Sequence, residues 1–212
     1  MPRKCDWGNE MKNVYQIHLT GVGGQGIIRA STIIGEAAMK KGSKAVMSEL
    51  HGMAERGGVV TAEMKIGDAS SALVQKGDAD LLLGLEPVEA LRSLDKVGPN
   101  TTAIVNSAPI IPFTVSLGIS SYPSLSQVIT ELQAKIRSLF ILDALDLARK
   151  AGDLIALNIV MLGAAAAIPG FPVGKELLLA SIKETLPAST IEVNSAAFEN
   201  GYQAIVEGIH RE

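Results

Sequence analysis

Six residues, Gly21-Val22-Gly23-Gly24-Gln25-Gly26, join a short apolar stretch to a helix-like one, and four of them are glycine. Without Cβ atoms such a turn bends tightly and lets a ligand or another backbone come into contact. The helix that follows opens with free N–H groups and a partial positive charge, which suit a phosphate. The loop is therefore a cradle for a phosphorylated ligand or for a closely packed partner backbone, and the residues leave both open. A second motif, Ser48-Glu49-Leu50-His51-Gly52-Met53-Ala54-Glu55-Arg56-Gly57-Gly58, is polar and punctuated by glycine. It offers two carboxylates, an imidazole and a guanidinium whose planar fork can hold a carboxylate or phosphate through paired hydrogen bonds. His51 is the candidate catalytic residue. His18 falls in the middle of an apolar strand and reads as a core residue, and His210 reads as a solvated helix residue.

These groups need a scaffold, and the hydrophobic pattern supplies one. Strands are expected at 15–20, 44–48, 59–66, 80–84, 101–106 and 139–142, with a short edge strand at 113–117. Helices are expected at 27–41, from Pro87 to about 97, and from a Ser124 cap to about 137. From residue 144 onward the pattern turns helical, with segments at 153–167, 175–186 and 189–210 separated by Pro169-Gly170-Phe171-Pro172 and Pro187. This alternation predicts an α/β fold, an open three-layer αβα sandwich with a mostly parallel mixed sheet and an α-helical C-terminal extension. Residues 1–12 read as a flexible tail and 13–212 as a single domain. If the strands at 15–20 and 44–48 are parallel neighbours, the second motif falls beside the glycine loop at the carboxyl ends of the strands.

Composition narrows the function classes. At 47% hydrophobic and 19% charged, the 212-residue chain can bury a sizeable core, roughly 70% of its unfolded surface. A net charge of −3 and 4% aromatics provide neither a basic face nor a stacking ladder for nucleic acid. The single cysteine, Cys5, cannot form an internal disulfide, hold an iron–sulfur cluster or build a zinc site, and points to a cytoplasmic setting. The apolar run at 154–168 contains Asn158 and stops at Pro169, so it reads as a buried helix rather than a membrane span. The methionines, Met53 and Met64 among them, read as packing residues. Ser120 and Ser121 lack the surroundings of a hydrolase nucleophile.

Gly21, Gly23 and Gly26 also fit G-x-G-x-x-G, with Glu49 about 20 residues beyond the loop, where a dinucleotide fingerprint places its ribose ligand. A stand-alone NAD(P)-dependent oxidoreductase of Rossmann type is the alternative this pattern supports. The extra Gly24-Gln25 and the second motif favour a different family. Gly21-Val22-Gly23-Gly24-Gln25-Gly26-Ile27, followed by Ser48-Glu49-x-His51-Gly52-Met53-Ala54-x-Arg56-Gly57-Gly58, resembles the gamma subunit or domain of 2-oxoacid:ferredoxin oxidoreductases, in particular the smaller subunit of the indolepyruvate type. The likeness continues through Asn158-Ile159-Val160-Met161-Leu162-Gly163-Ala164, Phe171-Pro172 and the segment from Asn194 to Tyr202.

The resemblance implies an enzyme that oxidatively decarboxylates an arylpyruvate, transfers the acyl group to coenzyme A and reduces ferredoxin. It places thiamine diphosphate and Fe–S clusters on a larger partner subunit, through which ferredoxin is reached. It implies that Gly21, Gly23, Gly24, Gln25 and Gly26, with Glu49, Glu55, Arg56, Gly57 and Gly58, meet coenzyme A or that subunit. Glu55 departs from the family, which has glutamine there, and sets a negative charge beside Arg56. An isolated chain with its interface bare could also pair as a homodimer.

Overall fold

The computed structural model describes residues 14–52 and 57–209. In chain order these form β1 (Val14–Val22), α1 (Ile27–Lys40), β2 (Ala45–His51), β3 (Val59–Gly67), β4 (Leu81–Gly84), α2 (Pro87–Arg92) and β5 (Thr102–Asn106). They continue with α3 (Phe113–Ser116), α4 (Leu125–Gln133), β6 (Ser138–Leu142), α5 (Ala144–Ala151), α6 (Leu157–Ala166), α7 (Lys175–Thr185) and α8 (Ile191–Ile209). Short 3₁₀ turns, Leu154–Ala156 and Ala188–Thr190, lead into α6 and α8.

One six-stranded sheet runs in the order β2-β3-β1-β4-β5-β6. β1, β4, β5 and β6 are parallel, whereas β3 is antiparallel to both β1 and β2. β1 is central and buried on both faces from Gln16 to Val22, its apolar Ile17 and Leu19 alternating with the buried polar Gln16, His18 and Thr20. The apolar alternation of β4 divides the core: Leu81 and Leu83 join the helices α1, α5, α6 and α8 on one face. Leu82 joins α2 and α4 on the other. The αβα layering and the helical C-terminal part are thus as the pattern predicts. The late helices α5 to α8 pack into the larger core with β1, α1 and β3, so they form a structural layer.

Two expectations are corrected. β2 is not the neighbour of β1, because β3 lies between them. The connection from His51 to Val59 is too short for a parallel crossover and dictates a hairpin. The segment at 113–117 forms the single turn α3 instead of an edge strand. β5 already has a strand on each side, so the segment that follows it cannot pair with it, and the Pro112 carbonyl accepts from the Val115 N–H to start a helical turn.

The tightest packing is between α6 and α8. A Cβ at Gly163 would lie 1.9 Å from the Phe198 carbonyl oxygen, and one at Gly201 would lie 1.9 Å from that of Val160. Glycine lets the two backbones touch where any side chain would hold them apart. This contact fixes α6, and α6 carries Asn158 into the site.

Candidate functional site

The glycine loop is built by backbone demands and locked by two amides. Gly24 and Gly26 have φ of 104° and 78°, the left-handed region that other residues avoid. The Gln25 side chain folds back, accepting from the Val22 N–H at 2.8 Å and donating to the Leu85 carbonyl at 2.8 Å. A Cβ at Gly21 would sit 2.7 Å from that Gln25 Oε1, so Gly21 makes room for the lock. Asn106 is fully buried and donates to the same Leu85 carbonyl at 3.0 Å, which ties the ends of β1, β4 and β5 together. The second amide, Asn158, donates to the Gly26 carbonyl at 3.2 Å, and a Cβ at Gly26 would come within 2.6 Å of its Nδ2. Gln25 and Asn158 shape the loop with side-chain groups already engaged.

α1 begins at this loop with no side-chain cap and no acidic residue in its first turn, where Arg29 stands instead. The open end of the helix and the guanidinium give one positive potential. They face a cleft of about 680 Å³ lined by Gly23 to Arg29, Thr32, His51, Val60, Ile155, Asn158 and Thr185. Ile155 is 79% exposed, so one wall is an apolar lip. Such a cleft can hold an anionic group against the helix and an apolar body against the lip.

The hairpin reaches the loop as well. The Gly23 N–H donates to the Gly58 carbonyl at 2.8 Å, and Gly57 turns the chain with φ of 77°. His51 lines the cleft and is exposed, its Nδ1 lying 3.4 Å from the Gly52 carbonyl. Glu49 instead borders a neighbouring cleft of about 400 Å³. Glu55 and Arg56 lie outside the described residues, as do Met53, Cys5 and His210. The structure therefore brings Gly23, Gly24, Gln25, Gly26, His51 and Gly58 together, and leaves Glu49 on a different rim. Sequence reasoning missed Arg29, Thr32, Asn158, Ile155 and Thr185. The available signal was positional: Arg29 is in the first turn after a glycine loop, and Asn158 interrupts an apolar helix.

The neighbouring cleft holds a buried polar chain. Glu63 accepts from Lys96 at 2.6 Å and from the Val74 N–H at 2.8 Å. Burial alone would raise its carboxyl, but these two bonds and the Lys96 charge bring it below the ordinary range. The Ser93 hydroxyl donates to the Glu89 carbonyl at 3.0 Å, so His18 Nε2 must donate to Ser93 at 3.1 Å. His18 Nδ1 is left as a lone pair 3.4 Å from Glu63 Oε1. Burial lowers the His18 pKa below 6.5, although Glu63 pulls the other way. The folded chain then binds its proton at lower pH than the unfolded chain does. The stability is complete above about 6.5 and is lost as pH falls toward the lowered folded value. Urea unfolding at graded pH should show this loss, at most about 1.4 kcal/mol per pH unit from one proton. In His18→Gln the slope just below 6.5 should flatten, and an unchanged slope would exclude His18 as its source.

Comparison with known proteins decides the family. The sequence profile of the pyruvate ferredoxin/flavodoxin oxidoreductase family matches residues 16–204. The chain belongs to this family. Indolepyruvate oxidoreductase subunit IorB of Methanothermobacter thermautotrophicus is 46% identical, over 91% of this chain and 98% of that protein. The gamma subunit of a keto/oxoacid ferredoxin oxidoreductase from Geobacter sulfurreducens has the same fold, with a TM-score of 0.68 and 27% identity over 91% of this chain and 99% of that one. In the 2-oxoglutarate:ferredoxin oxidoreductase of Magnetococcus marinus the fold recurs with a TM-score of 0.71 at 17% identity, covering 92% of this chain and 32% of that longer one.

As a gamma-type chain of the pyruvate ferredoxin/flavodoxin oxidoreductase family, the protein is a small subunit of a 2-oxoacid:ferredoxin oxidoreductase. The stand-alone Rossmann reading falls with this assignment. Its physical failure is visible in the sheet: antiparallel β3 separates β1 from β2 and carries Glu49 away from the glycine loop. Among the described residues, no helix is long and apolar enough to cross a membrane, and no group of three or more His, Cys, Asp or Glu could hold a metal ion.

Proposed function

We propose that this chain is the smaller subunit of a cytoplasmic, ferredoxin-dependent enzyme that oxidises arylpyruvates such as indolepyruvate. The larger subunit carries thiamine diphosphate and the Fe–S clusters, which supply decarboxylation and electron storage. The 2-oxoacid loses carbon dioxide, its acyl group is joined to the coenzyme A thiol, and the electron pair passes to one-electron acceptors, the ferredoxins. The end-to-end match with the methanogen's indolepyruvate oxidoreductase subunit carries this reading. Within the reaction, this chain's own residues bind and orient. The open end of α1 and Arg29 take a coenzyme A phosphate, Gly24 and Gly26 let it approach the backbone, and the Ile155 lip covers an apolar part of the same molecule. His51 stands where it can reach that ligand, Gly57 and Gly58 follow Glu55 and Arg56 in the sequence, and Gly58 meets the loop at Gly23.

Co-expression with the larger subunit, followed by an assay of arylpyruvate-dependent ferredoxin reduction, tests the assignment. Activity should need both chains and coenzyme A, and full activity without this chain would contradict it. Gly24→Asp separates ligand from partner contact, because φ of 104° and a carboxylate both spoil an anion cradle. A complex of this variant that assembles but binds coenzyme A normally would leave the loop as a subunit contact.

A further inference from the structure

Residues 97–130 contain no charged side chain, although 19% of the chain is charged. The part between β5 and α4 is an exposed arm. Ile110, Ile111, Phe113, Leu117 and Ile119 all face solvent, with Phe113 75% and Ile119 72% exposed. A soluble surface seldom leaves so many large apolar groups together without a charge among them. The arm is also held in shape. Glu86 is 1% exposed, and its Oε1 accepts from the Ile110 N–H at 3.3 Å and from the Tyr122 hydroxyl. One carboxylate thus grips both the entry and the exit of the arm. Within it, Ser120 donates to Thr114 at 2.9 Å, and the Ile119 N–H donates to the Thr114 carbonyl at 2.9 Å. The apolar side chains are presented outward from a fixed root.

We propose that this arm is the docking element for the larger subunit, an inference that rests on the function proposed above. Depletion of charge with exposed aromatic and aliphatic groups is the composition of a permanent interface core. The root of the arm shares the carboxyl edge of the sheet with the glycine loop, since Gln25 and Asn106 both donate to the Leu85 carbonyl beside Glu86. A partner seated on the arm therefore reaches the edge where coenzyme A would meet its thiamine centre. The relative that matches nearly end to end is named as one subunit of an indolepyruvate oxidoreductase, which favours a different chain over a second copy.

The test uses the full chain and its co-expressed larger subunit, with Phe113→Lys and Ile119→Lys combined and Met39→Lys as an exposed control on α1. Wild type and the control should co-purify with the larger subunit, while the double variant loses at least a hundredfold in affinity at unchanged melting temperature. Should the double lysine variant fold poorly, Phe113→Ser with Ile119→Ser should still weaken assembly at least tenfold. Normal assembly of a folded arm variant would overturn the proposal. So would normal assembly together with conversion of an isolated dimer to monomer, which would make the arm a self-contact. Failure of the wild type to assemble would instead overturn the functional reading, and the docking proposal with it.

Discussion

Gly201→Ala is expected to cost about 3 kcal/mol of folding stability for one added methyl group. The new Cβ would lie 1.9 Å from the Val160 carbonyl oxygen and 3.1 Å from the Ala164 nitrogen, both backbone atoms of α6. Backbone atoms cannot rotate aside, so α8 must move away and loosen contacts of the fully buried Phe198 and Ala197. The ordinary gain from replacing a helical glycine by alanine, roughly 0.5–1 kcal/mol, is too small to offset this. Gly163→Ala meets the Phe198 carbonyl at the same distance and should cost a similar amount. The double variant should cost less than the sum, because the first methyl already separates the helices. Urea unfolding should show a lower midpoint at unchanged slope. Gly35→Ala is the internal control: it lies within α1, its Cβ would meet only Met64 at 3.6 Å, and it should be neutral or stabilising. A Gly201→Ala chain as stable as wild type would mean that the two helices do not touch in this way.

What the sequence revealed and what it hid follow the range of the interactions involved. The turn from β1 into α1 was legible because its demands are local: left-handed backbone at Gly24 and Gly26, then helical apolar spacing from Ile27. The Ser124 cap was readable for the same reason, and the structure completes it as a capping box with Gln127. The position of β3 was not, since Val60 and Thr61 could pair with either neighbour and only the assembled sheet places them between β1 and β2. The segment at 113–117 read as a short edge strand because its residues favour strands. It forms a helical turn outside the sheet instead.

The candidate site divides along the same line. Gly23, Gly24, Gln25, Gly26 and His51 were found from their motifs, and they do line one cleft. Glu49 was grouped with them by sequence proximity, but the antiparallel hairpin places it against the cleft of His18 and Glu63. Asn158 stands out in its apolar helix, but it is 132 positions from Gly26 and meets it through the clamping of α6 by α8, so its partner had no local signature. Arg29 escaped notice because an exposed arginine on a helix is ordinary. Its meaning comes from what the first turn of α1 lacks, a cap and a carboxylate.

That absence makes Arg29→Glu a sharp probe of the proposed coenzyme A site. The substitution changes the local charge by two units at the open end of α1. At a separation of about 7 Å and an effective dielectric constant between that of water and a protein surface, this is worth about 1–3 kcal/mol. Coenzyme A affinity of the assembled enzyme should therefore fall about ten- to a hundredfold, which would appear as a raised KM for coenzyme A at nearly constant kcat. Raising the ionic strength should narrow the gap, because Arg29 is exposed and its field is screened. Arg29→Lys should keep most of the affinity. Poor folding cannot produce the same result, since a glutamate in the first turn of a helix opposes its dipole favourably and should leave stability equal or higher. A charge-reversed enzyme that binds coenzyme A as the wild type does would move the phosphate elsewhere. The open end of α1 would then face the partner subunit.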